Sequence, residues 1–265
     1  MRPLAVVGNL SRDLVDGSPP RAGGAPFHAA RALRVLGRPA LVGAKCAHSD
    51  RDSLLTPLVR LGLPVLWRGG SSTAAFSFRY EGDRRVMVVE ALGDPWGPAD
   101  LYGLERADWV HVGALARSDF PAKTLAELAR DRRVSFDGQG LVRPERTGPL
   151  ELDAAYDPEV LRHVSILKLA EEEARTLVGE PDESALRSLG VPEVVVTLGS
   201  EGSLVLADGK LEQVPAQAAG KVDPTGAGDA FSAVYLASRS NGHAPVAAAR
   251  RATALVGGLL ARRIP

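Results

Sequence analysis

Short apolar runs alternate with helical segments along this chain, and several of the helices close on a glycine. Leu4-Ala5-Val6-Val7 reads as a buried first strand ending in Gly8, followed by a loop rich in Gly and Pro through Gly24. Ala29 to Leu36 has helical periodicity and stops at Gly37, where a left-handed residue can end a helix. Ala40-Leu41-Val42 is a second short strand, and Leu54 to Leu61 is a helix ended by Gly62. Strand, helix, strand, helix in that order requires a parallel sheet with helices on its faces.

The same order returns later. Trp109–Val112, Val134–Asp137, Ile166–Lys168 and Glu193–Thr197 read as strands, with helices at Ala122–Ala129 and Glu171–Leu177. Ser203–Leu206 and the turn at Asp208-Gly209 suggest a further hairpin. Two helices, Ala227–Arg239 and Pro245–Leu260, finish the chain. The fold expected is α/β, with a central, mostly parallel sheet flanked by helices in one domain of 265 residues.

One segment breaks the pattern. Ala74–Tyr80 and Arg85–Val89 each alternate polar and apolar residues around the turn Glu81-Gly82-Asp83-Arg84. That is a β-hairpin, spanning about residues 71–90, inserted into an α/β chain. It could lie over a site as a lid. Its apolar side, with Phe76, Phe78, Met87 and Val89, needs a covering surface, and a homodimer joined through these strands would supply one.

Composition removes several function classes. Formal net charge is zero, so there is no electrostatic footprint for nucleic acid. No apolar run approaches the ~20 residues of a membrane span. The start, Met1-Arg2-Pro3, has no signal-peptide pattern. The single cysteine, Cys46, fits a reducing, cytoplasmic setting. The five histidines lack zinc spacing, and the P-loop, dinucleotide and Gly-x-Ser-x-Gly motifs are missing.

The run Asp223-Pro224-Thr225-Gly226-Ala227-Gly228-Asp229-Ala230-Phe231 carries the chemistry. Small residues at the mouth of a helix leave backbone N–H groups uncovered, and the helix dipole adds positive charge there. That is an anion cradle. A carboxylate in its first turn, Asp229, would repel a phosphate. Its presence suggests a second role, that of taking a proton from whatever attacks the anion. Cradle and base together suit a phosphotransferase. The other polar residues expected at the carboxyl ends of the strands, where ligands bind in such sheets, are Asp13, Gly43, Asp137, Lys168 and Gly199.

These features resemble the ribokinase, or PfkB, carbohydrate kinase family over essentially the whole chain. The match rests on the Asp223–Phe231 run, on Gly23-Gly24 opening a helix that ends in Leu36-Gly37, and on Thr197-Leu198-Gly199-Ser200-Glu201-Gly202, which is similar to the family's nucleotide loop. The resemblance implies a ribokinase-like fold with a hairpin lid and an ATP- and Mg2+-dependent kinase of a small sugar or polyol. It implies Asp229 as the base, with the N–H groups of Gly226, Ala227 and Gly228 holding the transferred phosphoryl group. Asp13, Gly23 and Gly24 would bind substrate hydroxyls, with His28 and Asp137 as further contacts. Lys168, Thr197, Gly199, Gly202 and Thr225 would serve the nucleotide. Glu173 would organise magnesium through water.

Two departures leave the substrate open. His28 and Ala170 stand where the family usually has Asn. The first argues against ribose or fructose recognised in the commonest way, and the second deprives Glu173 of its usual partner. Asp137-Gly138-Gln139-Gly140-Leu141-Val142-Arg143 looks like a segment of the family's myo-inositol kinase branch, which leans the reading toward a cyclic polyol. A nucleoside kinase and a catalytically silent ligand-binding member are the alternatives.

Overall fold

The apolar run near the start forms strand β1 (Leu4–Asn9), buried along its whole length. The computed structural model describes residues 4–15, 19–81, 84–216 and 225–260. After β1 come β2 (Ser11–Val15), β3 (Arg21–Gly23), α1 (Ala25–Val35), β4 (Leu41–Ala47), α2 (Arg51–Val59) and β5 (Val65–Gly70). The hairpin strands are β6 (Ala74–Glu81) and β7 (Arg84–Ala91). The α/β order then resumes with β8 (Trp109–Gly113), α3 (Ala122–Leu128), β9 (Arg133–Asp137), the short α4 (Gln139–Val142) and β10 (Gly148–Pro149). The remainder is β11 (Ile166–Ala170), α5 (Glu171–Val178), α6 (Glu183–Ser188), β12 (Glu193–Thr197), β13 (Ser203–Ala207), β14 (Lys210–Val214), α7 (Ala227–Ser240) and α8 (Pro245–Leu260).

Nine strands form one sheet in the order β14-β13-β12-β11-β9-β8-β1-β4-β5. It is parallel from β5 to β12, and β13 and β14 are antiparallel additions at one edge. The α/β expectation is met. Chain order reverses beside β1, which has β4 on one side and β8 on the other, and such a switch point opens a crevice at the strand ends. The backbones are close there: a Cβ on Gly8 would overlap the Gly113 carbonyl, and one on Gly113 would overlap Ala25 at the start of α1. Apolar layers lie on both faces, one around Val7, Phe136, Leu167 and Val194, the other around Val6, Leu33, Phe231 and Leu236.

Two sequence expectations change. Strand β4 runs on to Ala47 because the charge of Lys45 is met internally: its Nζ lies 2.8 Å from both the Pro95 carbonyl and Asp100 Oδ2. The loop expected through Gly24 holds two strands. These join the hairpin in a second sheet of order β10-β7-β6-β2-β3, with β2 parallel to β6. Their pairing is distant in sequence, so no local pattern announces it.

The apolar side of the hairpin is covered within the chain. Phe76, Phe78 and Val89 pack with Ala74 and Leu115, and Met87 and Leu150 lie against them. Part of the surface for which a homodimer was expected from the sequence is thus covered within one chain. On the other face the Ser77 hydroxyl donates to Glu90 Oε1 at 2.5 Å.

Candidate active site

Helix α7 is capped at its start by Gly226, whose φ of 76° places it in the left-handed region that favours glycine. A Cβ there would also run into the His28 ring, so helix start and imidazole are packed face to face. The first helical bond runs from the Ala230 N–H to the Gly226 carbonyl at 2.9 Å. The N–H groups of Ala227, Gly228 and Asp229 therefore have no acceptor within the helix and face outward with the positive end of its dipole. Asp223 and Pro224 lie outside the described residues.

This helix start forms one wall of a cavity of about 720 Å³. Of the residues singled out from the sequence, Asp13, Gly24, His28, Lys168, Glu173, Thr197, Gly199, Thr225, Gly226, Ala227, Gly228 and Asp229 line it. The Asp13 carboxylate, on β2, accepts the Ser11 hydroxyl at 2.7 Å. Gly24 precedes α1 with a φ of 90°, and His28 lies one turn further in. Lys168 lies midway along β11, Thr197 ends β12 and Gly199 follows just beyond it. Phe76, Phe78, Val86 and Met87 form the roof, with Leu115, Leu150 and Leu152 beside them.

Three expected contacts are not at the cavity wall. Asp137 is fully buried behind it; its Oδ2 lies 3.4 Å from Lys168 Nζ and its Oδ1 accepts the Gln139 N–H at 3.2 Å. Gly23 makes room for the cavity-lining Asp13 side chain, since a Cβ would overlap its carboxylate. Gly202, at a φ of 102°, lies against the backbone at Val214 to Ala216, where a Cβ would collide. It shapes the turn between β12 and β13.

Lys168 is the electrostatic centre. Burial works against its charge, but Asp137, Glu173 and Asp229 around it raise its pKa above the ordinary lysine value. Its Nζ is so close to the cradle that a Cβ on Gly228 would stand 2.9 Å away. Asp229 opens onto the cavity yet is surrounded by protein. Withdrawal from bulk water pushes its carboxyl up to about 7, and the negative charge of Asp137 adds to this while Lys168 and Arg143 oppose it. A carboxylate with such a pKa exchanges protons readily near neutral pH.

Arg143 closes the Asp137–Arg143 segment and reads from the sequence as either a site residue or a solvated loop residue. It lines the cavity, with its guanidinium 5.9 Å from the Phe76 ring centroid. The roof residues Phe76, Phe78 and Met87 belong to the hairpin expected as a lid, whereas Gln139, Leu115, Leu150 and Leu152 were not anticipated; a leucine facing a cavity and a leucine facing core are alike in sequence.

The residues present do not fit a resident magnesium ion. No group of three potential ligands is found among the described residues. Glu173 Oε2 accepts the Ala170 N–H at 2.7 Å, and Lys168 faces the same carboxylate. A magnesium ion here would arrive on the phosphates of a donor, as this ion commonly does.

The chain is 29% identical over 163 residues to the ribokinase of Bacillus subtilis, covering 61% of this chain and 53% of that protein. It is 35% identical over 189 residues to an inositol 3-kinase of Oryza sativa, covering 65% and 45%. It thus spans about half the length of these curated relatives. A solved pyrophosphate-dependent kinase of the ribokinase family, complexed with a pyrophosphate analog and myo-inositol, superposes with a TM-score of 0.84 at 25% identity, covering 97% of this chain and 94% of that one. Residues 20–259 match the model of the pfkB family carbohydrate kinases, and the chain belongs to that family.

Proposed function

We propose that this protein transfers a phosphoryl group to a hydroxyl of a small sugar or polyol, with a cyclic polyol as the preferred class. The observation that carries the reading is one cavity shared by a proton-accepting carboxylate, Asp229, the uncovered N–H groups beside it, and the polar groups of Asp13 and His28. The acceptor hydroxyl loses its proton to Asp229 as its oxygen bonds to phosphorus, and the donor's bridging oxygen leaves with its electron pair. Negative charge on the transferring group is met by the Ala227 and Gly228 N–H groups, the helix dipole and the Lys168 ammonium. This suits a reaction governed by positioning and charge stabilisation. Asp137 holds Lys168 in place from behind. The apolar roof of Phe76, Phe78 and Met87 fits the C–H face of a ring, while Asp13, His28 and Arg143 are placed for its hydroxyls.

ATP is the proposed donor, supported by the Thr197–Gly202 loop. Pyrophosphate is a second reading, favoured by its use in the similar solved kinase and by a donor side in which a buried lysine adjoins the cradle. Phosphorylation of a panel of sugars, inositols and nucleosides, with ATP or pyrophosphate as donor, tests both. Loss of Asp229 as base costs ~10²–10⁴-fold, so an Asp229→Asn variant with full activity would overturn the assignment. Assembly through the lid would have to use its outer face or the edge strands β3 and β10. Light scattering that finds a monomer at every working concentration would remove it.

A further inference from the structure

Two chain crossings, residues 71–73 and 92–95, connect the lid hairpin to the large sheet and to the segment that follows. Both are tied down by polar side chains. The Asp94 carboxylate accepts the Ser71 N–H at 2.5 Å, the Ser72 N–H at 3.2 Å and the Ser71 hydroxyl at 3.0 Å. Asn9, buried at the end of β1, donates from Nδ2 to the Asp94 carbonyl at 3.2 Å and accepts the Trp96 indole N–H at 3.0 Å. It also lies against Gly93, where a Cβ would stand 2.7 Å from Nδ2.

Asp119 adjoins this joint, and no step of the proposed transfer uses it. Its side chain is 1% exposed, its Oδ2 accepts the Leu115 N–H at 2.8 Å, and its carbonyl accepts the Trp96 N–H at 2.7 Å. Oδ1 is buried with no partner in bonding geometry among the described residues. Burial pushes the carboxyl up to about 7, with the Leu115 and Ala116 N–H groups and the Asn9 amide holding it from going higher. Burying such a group costs stability that an apolar residue of similar size would not. What it gains is position: Leu115 lines the cavity and packs with Ala74, Phe76, Phe78 and Val89 of the lid. One residue thus holds the roof on one side and, through Trp96, the lid's return crossing on the other.

We propose that Asp119, with Asn9, is a positioning residue that fixes the lid and Leu115 at the height an acceptor needs. This rests on the reading of the lid as the acceptor's roof. The test is hydrogen exchange along β6 and β7, compared with β1 and β11, in wild type, Asp119→Ala and Asp119→Asn, together with KM for acceptor and donor. With alanine, local opening of the lid rises about fivefold while the large sheet is unchanged. A displaced roof raises the acceptor KM about tenfold and leaves the donor KM within about twofold. Asparagine restores both values, because its amide oxygen still accepts the Leu115 N–H.

Unchanged lid exchange, equal acceleration in both sheets, equal rises in both KM values, or no rescue by asparagine would each overturn the assignment. Should the alanine variant not fold, Asn9→Ala reads the same lid exchange. If wild type phosphorylates nothing on the panel, the kinase reading fails while the exchange measurement still decides this one.

Discussion

Gly228→Ala separates the two demands placed on the start of α7. As a helix residue, alanine is better than glycine by about 1 kcal/mol in a helix interior and somewhat less in a first turn. By itself that raises Tm by up to ~2–4 °C in a chain of this size. The new methyl, however, would stand 2.9 Å from Lys168 Nζ and 3.6 Å from its Cε. Lys168 is 4% exposed and held by Asp137, so its ammonium can move a few tenths of an ångström but cannot leave. The two effects on stability nearly cancel. The effects on chemistry do not: the methyl displaces the Lys168 ammonium that stands beside the cradle. The N–H of residue 228 is kept, but misplacing a charge-stabilising group in such a site costs about 10²-fold in kcat. We expect Tm within about 3 °C of wild type, unchanged circular dichroism and kcat lowered by about two orders of magnitude. Thermal unfolding and a coupled assay on one preparation measure both. Full activity at unchanged Tm would show that the transferred group does not sit on α7, and the reading of the site would fall.

Gly226→Ala should lower stability by more than 1 kcal/mol, roughly, because it adds left-handed strain to an overlap with His28; denaturant unfolding reads it. A rate carried by Asp229 should rise with pH as the carboxylate ionises near 7, which a pH profile of kcat/KM would show. Stability moves the opposite way. The folded pKa lies above the unfolded one, so the native state holds the proton longer, and the contribution of Asp229 falls as pH rises from about 4 to about 7. Asp229→Asn should therefore gain Tm relative to wild type at pH 8 and not at pH 4. Lys168→Met should raise the donor KM at least tenfold, roughly, with the acceptor KM little changed; a rise confined to the acceptor would place the donor elsewhere.

Much of the fold was legible because its signals are local. Burial on both faces makes β1, β11 and β12 continuous apolar runs, and glycines mark several helix ends. The start of α7 was equally readable, since Gly226, Ala227, Gly228 and Asp229 are adjacent in sequence and the N–H groups they present belong to their own backbone. Strands β2 and β3 were not readable. They are short and polar, and the partner β6 lies some sixty residues away. Lys45 hid the length of β4 because its partners come from the 95–100 segment.

The sequence by itself determined the α/β order, the anion cradle and the carboxylate within it, because each depends on neighbours in the chain. Only the tertiary structure decided what each remaining group faces. It turned Asp137 from a ligand contact into the buried partner of Lys168, set Gly23 aside to make room for Asp13, and placed the hairpin's apolar side over the cavity. It also raised the Asp229 carboxyl toward neutrality. Those outcomes depend on burial and on charges brought together from distant strands, and neither quantity exists until the chain has folded.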